Sequence, residues 1–419
     1  MDTPKKLIVG YDLCEDMTQI SCYSYKSLEP IPISTREGEE CPIPTVLCVK
    51  TETKQWLFGD EAIACAAGGA GVLVEHLLEK VRTGEEVEIL GQTFTGVALL
   101  EKFLRKSLTL VKNHFPTEPI TKIVVTIRNA EPSFVDRIYE ALSLLGLEKD
   151  RAVIMNHAGA YLYYTLSQDR SIWMNDVGLF DLSSEGLYYY QTQINRRNKP
   201  MIAGLKRIDY SDNLNIAMLK QQGSNSSYIF ENIANTALYK QIVSTLYFTG
   251  NGFEGGWADE VIKSLCVGRR VFYGQNLFTK GACYAAKEFS GDQKLSDFVL
   301  LNDDMISGCV SVRVYSDTRI IEVPLTQAGE TWYEVNNSIE IIPEGESELE
   351  LSIKNIMTKE VIRQSINLNQ FPVRQDRTMR LLINFTCKDK STGYLTVTDL
   401  GFGDFYPGTG KVMAYTIEI

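Results

Sequence analysis

Histidine is scarce in this sequence and cysteine is unpatterned. Only three of 419 residues are histidines, His76, His114 and His157, and they lie far apart. No Cys/His or Ser/His hydrolase motif is therefore written locally. The nine cysteines include no C-x-x-C pair; odd in number and scattered, they fit reduced thiols better than a disulfide framework or a zinc site. No stretch approaches the roughly 18 apolar residues of a membrane span. The short apolar run after the first two lysines is too brief for a signal segment with its cleavage site. Basic residues are dispersed and outnumbered, 42 Lys and Arg against 53 Asp and Glu, for a net charge of -11, which argues against a nucleic-acid footprint or an anionic membrane surface. These absences describe an acidic, cytoplasmic protein, long enough for two or three packed domains.

What is present is an alternation of strand and helix signals. LIVGYDL and ISCYSY read as the start of a hairpin across an acidic turn. PIPTVLCVK and KQWLFG continue the strand pattern, and residues 60–81 read as a helix-rich stretch interrupted by a Gly-Gly pair. Val97, Leu99, Leu100, Phe103, Leu104, Leu108 and Val111 lie on one face of a long helix, with Thr95 as its cap. The strand TKIVVTI follows, then an amphipathic helix ended by Gly146, then AVIMN and a further helix. A second strand pair, VGLFDLSSEGLYYYQTQI, bends around a short polar loop, and STLYFTG leads into the glycine-rich turn NGFEGGW. Tyr188 to Tyr190 read as alternating core residues rather than a stacking surface for bases, since no basic residue interleaves with them. From about Phe298 onward short alternating strands are separated by Gly, Pro, Asn and Asp with no helix between them, the pattern of a β-sandwich.

Three strand-to-turn junctions carry chemistry: YDLCEDMTQ, FDLSSEGL and FTGNGFEGGW. Tight turns of small residues can aim backbone N–H groups at phosphate, and a carboxylate at a strand end can hold the water shell of a metal ion. Each alone is more readily a structural turn than a ligand site. In their order along the chain they resemble the actin/DnaK-type ATPase superfamily, and most closely the seventy-kilodalton heat-shock chaperones. LIVGYDL resembles the first phosphate loop, GLFDLSSEG the second, LYFTGNGFEGGW the adenosine loop and LFTKGACYAAK the closing helix, while residues 298–312 and 381–403 resemble the chaperones' linker and sandwich strands.

The resemblance implies ATP or ADP with magnesium as the ligand, Asp12 and Asp181 on the metal through water, Ser183, Ser184 and Gly186 at phosphate, and Gly250, Gly252 and Gly255 around adenosine. Lys80 stands loosely where the family has a water-positioning lysine, and His157 where it has a metal-organising glutamate. The loops also depart from the pattern: Cys14, Glu15 and Asp16 follow Asp12, and Glu185 replaces a glycine. Added carboxylates beside a polyphosphate repel it unless they turn away or bind through a cation.

The expected fold is thus α/β plus all-β: a two-lobed actin-like ATPase fold over residues 1–290, a linker over 291–302, and a β-sandwich over 303–419 without the chaperones' helical lid. The expected function is that of a divergent relative of these chaperones, its nucleotide site degenerate, acting through a protein or peptide partner bound by the sandwich, with no catalytic residue assigned. An active ATP-dependent chaperone-type ATPase and a small-molecule kinase on the same fold are the alternatives.

Overall fold

The structure, a computed structural model, describes residues 6–35, 42–222, 225–316, 318–343, 348–372, 374 and 377–419. Residues 1–5, part of the stretch read against a signal segment, lie outside the described residues. The chain divides into two compact units, Met1–Phe298 and Val299–Ile419. Strand outweighs helix, 41% against 27%, as an α/β unit followed by an all-β unit requires. The stretch 291–302, expected as a linker, carries the strand Phe298–Leu301.

In the first unit β1 (Leu7–Leu13) is buried at every residue, the near-continuous apolar run of a strand covered on both faces. It forms an antiparallel meander with β2 (Met17–Ser24) and β3 (Glu29–Ile33). Helix α1 (Gly96–His114) follows an insertion, capped by Thr95, whose hydroxyl accepts from Ala98 N at 3.2 Å. Next come β4 (Ile120–Ile127) parallel to β1, α2 (Pro132–Ser143), β5 (Ala152–Asn156) parallel to β4, and α3 (His157–Ser167). The sheet order is β5-β4-β1-β2-β3.

The same series then repeats. Strands β6 (Asp176–Ser183), β7 (Gly186–Asn195) and β8 (Met201–Asp209) form a meander. They are followed by α4 (Asn225–Leu238), β9 (Val243–Thr249) parallel to β6, α5 (Asp259–Leu265), β10 (Arg270–Tyr273) parallel to β9, and α6 (Leu277–Lys287). The order β10-β9-β6-β7-β8 repeats the five-strand order of the first sheet, and the two sheets differ in their sixth strand, Ile43–Pro44 beside β2 in the first and Phe298–Leu301 in the second. Asp12 stands opposite Thr126 of β4, and Asp181 stands opposite Thr249 of β9, so the two aspartates hold equivalent positions.

One sequence expectation is corrected here. Gly71–Val74, read as part of a helix-rich stretch, is a strand paired antiparallel with Leu47–Lys50. A short apolar run carries no periodicity of its own, and the available partner strand decides it. The tyrosines of β7 alternate as expected: Tyr189 packs with Phe180, Phe230 and Phe248, while Tyr188 and Tyr190 pack with Tyr161 and Phe278.

Helices α3 and α6 meet each other and the first sheet at glycines. A Cβ on Gly281 would lie 2.0 Å from the Ala160 carbonyl oxygen, and one on Gly10 would lie 2.2 Å from that of Thr279. Only glycine lets these backbones approach so closely.

The second unit is a sandwich of two four-stranded antiparallel sheets sharing one apolar core, which includes Val310, Leu351, Ile383, Phe385, Leu395 and Val397. The Asp399 carboxylate lies buried against the Arg374 guanidinium, at 3.1 and 2.9 Å, and accepts from Gly401 N and from Thr409 N and Oγ1. Burial raises its carboxyl, and these donors with Arg374 outweigh that, leaving it below the usual carboxylate range. A depressed folded-state value gives stability that is present above the unfolded value of about 4 and lost as pH falls through the folded one. Asp399→Asn is therefore expected to lower the melting temperature of this unit at pH 7 and to differ less from wild type as the pH drops below about 4. A gap that widened toward acid would refute this.

Candidate functional site

Ligands of parallel α/β sheets gather at the carboxyl ends of the strands, where loops can present side chains. Here those ends, from β1, β4, β5 and β6, carry two linked polar clusters.

The first is built on Asp12. His157, the first residue of α3, is placed by Asn156, whose side chain caps the helix by accepting from Gly159 N at 2.7 Å. Its Nε2 lies 2.8 Å from Asp12 Oδ1, and its ring stacks on Phe278 of α6 at 3.9 Å and 12°. The Cys14 thiol sits 3.5 Å from the same Asp12 oxygen and 3.7 Å from the same His157 nitrogen. Cysteine and aspartate thus share one ring nitrogen, while the buried His157 Nδ1 has no hydrogen-bond partner among the described residues. A Cys-His-Asp nucleophile needs the two ring nitrogens on opposite partners, so this is not that device. Burial, then Asp12 and Glu185, push the Cys14 thiol well above its ordinary value.

The second cluster is built on Arg128, which follows β4 and is 6% exposed. Its guanidinium donates to Asp181 Oδ2 and to Ser183 Oγ, both at 2.7 Å, and pairs through Nε with Glu185. It also lies 4.7 Å above the Tyr188 ring. Burial disfavours its charge, and Asp181 with the other neighbours overcomes that and keeps it protonated. Burial raises the Asp181 carboxyl and Arg128 pulls it back.

Residues 29–303, well over half of the chain, match the family described as "Family of unknown function (DUF5716) C-terminal". The chain belongs to that family. Residues 305–419 match "Domain of unknown function (DUF8552)". No curated protein matches the chain. In this DUF5716 member the matched stretch takes in Arg128, His157, Asp181 and Glu185, while Asp12 and Cys14 precede it.

The structure brings Asp12 and His157 together, and Asp181 with Ser183. Gly186 pairs with Ser183 to close a two-residue hairpin turn with φ of 115°, where a Cβ would strike the Ser211 side chain at 2.0 Å; Ser184 is exposed on that turn. Gly250 and Gly252 are required by packing, since a Cβ on either would meet Leu182, at 2.1 and 2.4 Å, whereas Gly255 faces open space. Trp257 stacks on Phe253 and donates to Gly252 O, as a core residue of the turn. Lys80 lies on the helix Leu77–Thr83 and makes none of the contacts that define either cluster.

The directions of the extra carboxylates are also settled. Asp16 turns back to accept from Met17 N at 2.9 Å. Glu15 turns toward His76, at 3.9 Å, and burial raises its carboxyl against the pull of His76 and Arg82. Glu185 is neutralised by Arg128. Sequence reasoning missed Arg128 and the contact of Cys14 with His157; an arginine ending the apolar strand IVVTI was the one available signal for the former.

Proposed function

We propose that the first unit is a two-lobed, actin-like module whose nucleotide site has been rebuilt as a polar core in which the aspartates pair with protein side chains. In this reading the protein is a divergent relative of the seventy-kilodalton heat-shock chaperones that acts through contacts with protein partners, the sandwich among its contact surfaces. The duplicated strand order, with Asp12 and Asp181 at matching strand ends, supports the fold. The observation that carries the functional reading is that both aspartates are already engaged, Asp12 by His157 and Asp181 by Arg128. A carboxylate committed to a buried protein partner must surrender it before it can order water around magnesium, and phosphoryl transfer depends almost wholly on such positioning.

Isothermal titration of the full chain with ATP and ADP, with and without magnesium, is expected to give no heat at millimolar nucleotide. Micromolar binding would overturn this reading. It would favour an active ATPase, for which the equivalence of the two aspartates also speaks, with magnesium-dependent hydrolysis lost in Asp181→Ala.

A further inference from the structure

We propose that Asp12, Cys14 and His157 form a binding site for a divalent transition-metal ion of the zinc class. The proposal does not rest on the nucleotide reading, and it runs against the sequence expectation that the cysteines are metal-free.

The donor atoms of these three residues lie within 4.8 Å of one another. Around a tetrahedral zinc ion, bonds of about 2.0–2.3 Å would set nitrogen, oxygen and sulfur about 3.3–3.6 Å apart. The observed separations are 3.7 Å for Cys14 to His157, 3.5 Å for Cys14 to Asp12 and 2.8 Å for His157 to Asp12. Two are close to these values, and the third opens by about half an ångström when the hydrogen bond gives way to the ion. Sulfur and imidazole nitrogen select zinc, cobalt or copper over magnesium and calcium, which prefer an all-oxygen shell.

The site is held rigidly. Asp12 is fixed in β1, Cys14 follows two residues later, and His157 is clamped between the start of α3 and the Phe278 ring. All three donors face one point, because cysteine and aspartate both address Nε2. That sharing is useless to a proton relay and is what a metal centre requires. On binding, the Cys14 thiol proton leaves to solvent and the Nε2 proton is replaced at Nδ1, so the ring remains neutral. Nδ1 has no acceptor among the described residues, and missing outer support of this kind weakens metal affinity by about 10- to 100-fold. Three protein ligands leave a fourth position for water or a small anion.

The full chain, stripped with a chelator, is titrated with Co²⁺ and then with Zn²⁺. The expected result is one equivalent of cobalt with a thiolate-to-metal charge-transfer band, displaced by zinc and untouched by excess magnesium. Cys14→Ser should abolish the band, and His157→Gln should weaken binding by more than about 100-fold, while Cys266→Ser, at the exposed thiol, should change neither. Absence of the band in wild type, or its survival in Cys14→Ser, overturns the proposal. In the unmutated chain zinc should also slow alkylation of Cys14 by at least about tenfold, since a coordinated thiolate is withheld from the reagent, and leave Cys266 unaffected. Equal rates at Cys14 with and without zinc overturn it independently of any variant's folding.

Discussion

Replacing Arg128 by alanine is expected to lower the stability of the first unit by about 3–5 kcal/mol, the cost of leaving buried charge without its partner. Asp181 and Ser183 lose donors held at 2.7 Å, and Glu185 loses its counter-ion. For a unit of this size the change corresponds to a fall in melting temperature of roughly 5–8 °C. Its pH dependence has a definite sign. Arg128 pulls the buried Asp181 carboxyl down, so without it the folded-state value rises further. A raised carboxyl contributes stability at low pH that is lost as pH rises through it, and the variant should therefore recover toward wild type under mild acid. Arg128→Met combined with Asp181→Leu and Glu185→Met should regain most of the loss, because an apolar replacement of a whole ion cluster is often near neutral. A single-variant change below about 1 kcal/mol, the range of an exposed pair, would show that the cluster does not behave as buried.

Gly281→Val is expected to be the most damaging single substitution at the helix crossing. Its first side-chain carbon would sit 2.0 Å from Ala160 O and 2.7 Å from the carbonyl carbon, and backbone atoms cannot rotate away. Overpacking typically costs about 1–3 kcal/mol and more where two backbones must part. The gain from removing a helical glycine, about 1 kcal/mol, offsets only part of that. Gly281→Ala should therefore cost about 2 kcal/mol and Gly281→Val more, read as a lower urea midpoint with an unchanged slope. Gly204→Ala supplies the control: its nearest neighbour would be Gln193 O at 3.9 Å, and the change should stay within about 0.5 kcal/mol. Similar midpoints for all three variants would refute the close approach.

The sequence carried more of the fold than of the site. Buried strands such as LIVGYDL, the Thr95 cap and the alternating tyrosines are local patterns, and they form as their spacing predicts. Gly71–Val74 failed because four apolar residues fit either element until a pairing strand is known. The site depended on long-range contacts. Arg128 meets Asp181 across 53 positions and Cys14 meets His157 across 143, and nothing in the neighbourhood of either residue encodes its partner. The sequence showed the carboxylates of the loops, while only tertiary packing showed the arginine that meets them.

The guanidinium of Arg128 has a mechanical consequence. It extends from the end of a strand in the first sheet, and its partners belong to the second, so any hinge motion that swings the two sheets apart must break this ionic clasp. Opening hands both sides of the clasp to water, so the clasp resists it through its several simultaneous contacts and not through the cost of an unpaired buried charge. A partner that worked by prising the sheets apart would have to bind the open form more tightly than the closed one by whatever the clasp contributes. The clasp accordingly biases this unit toward the form in which its two sheets are tied together.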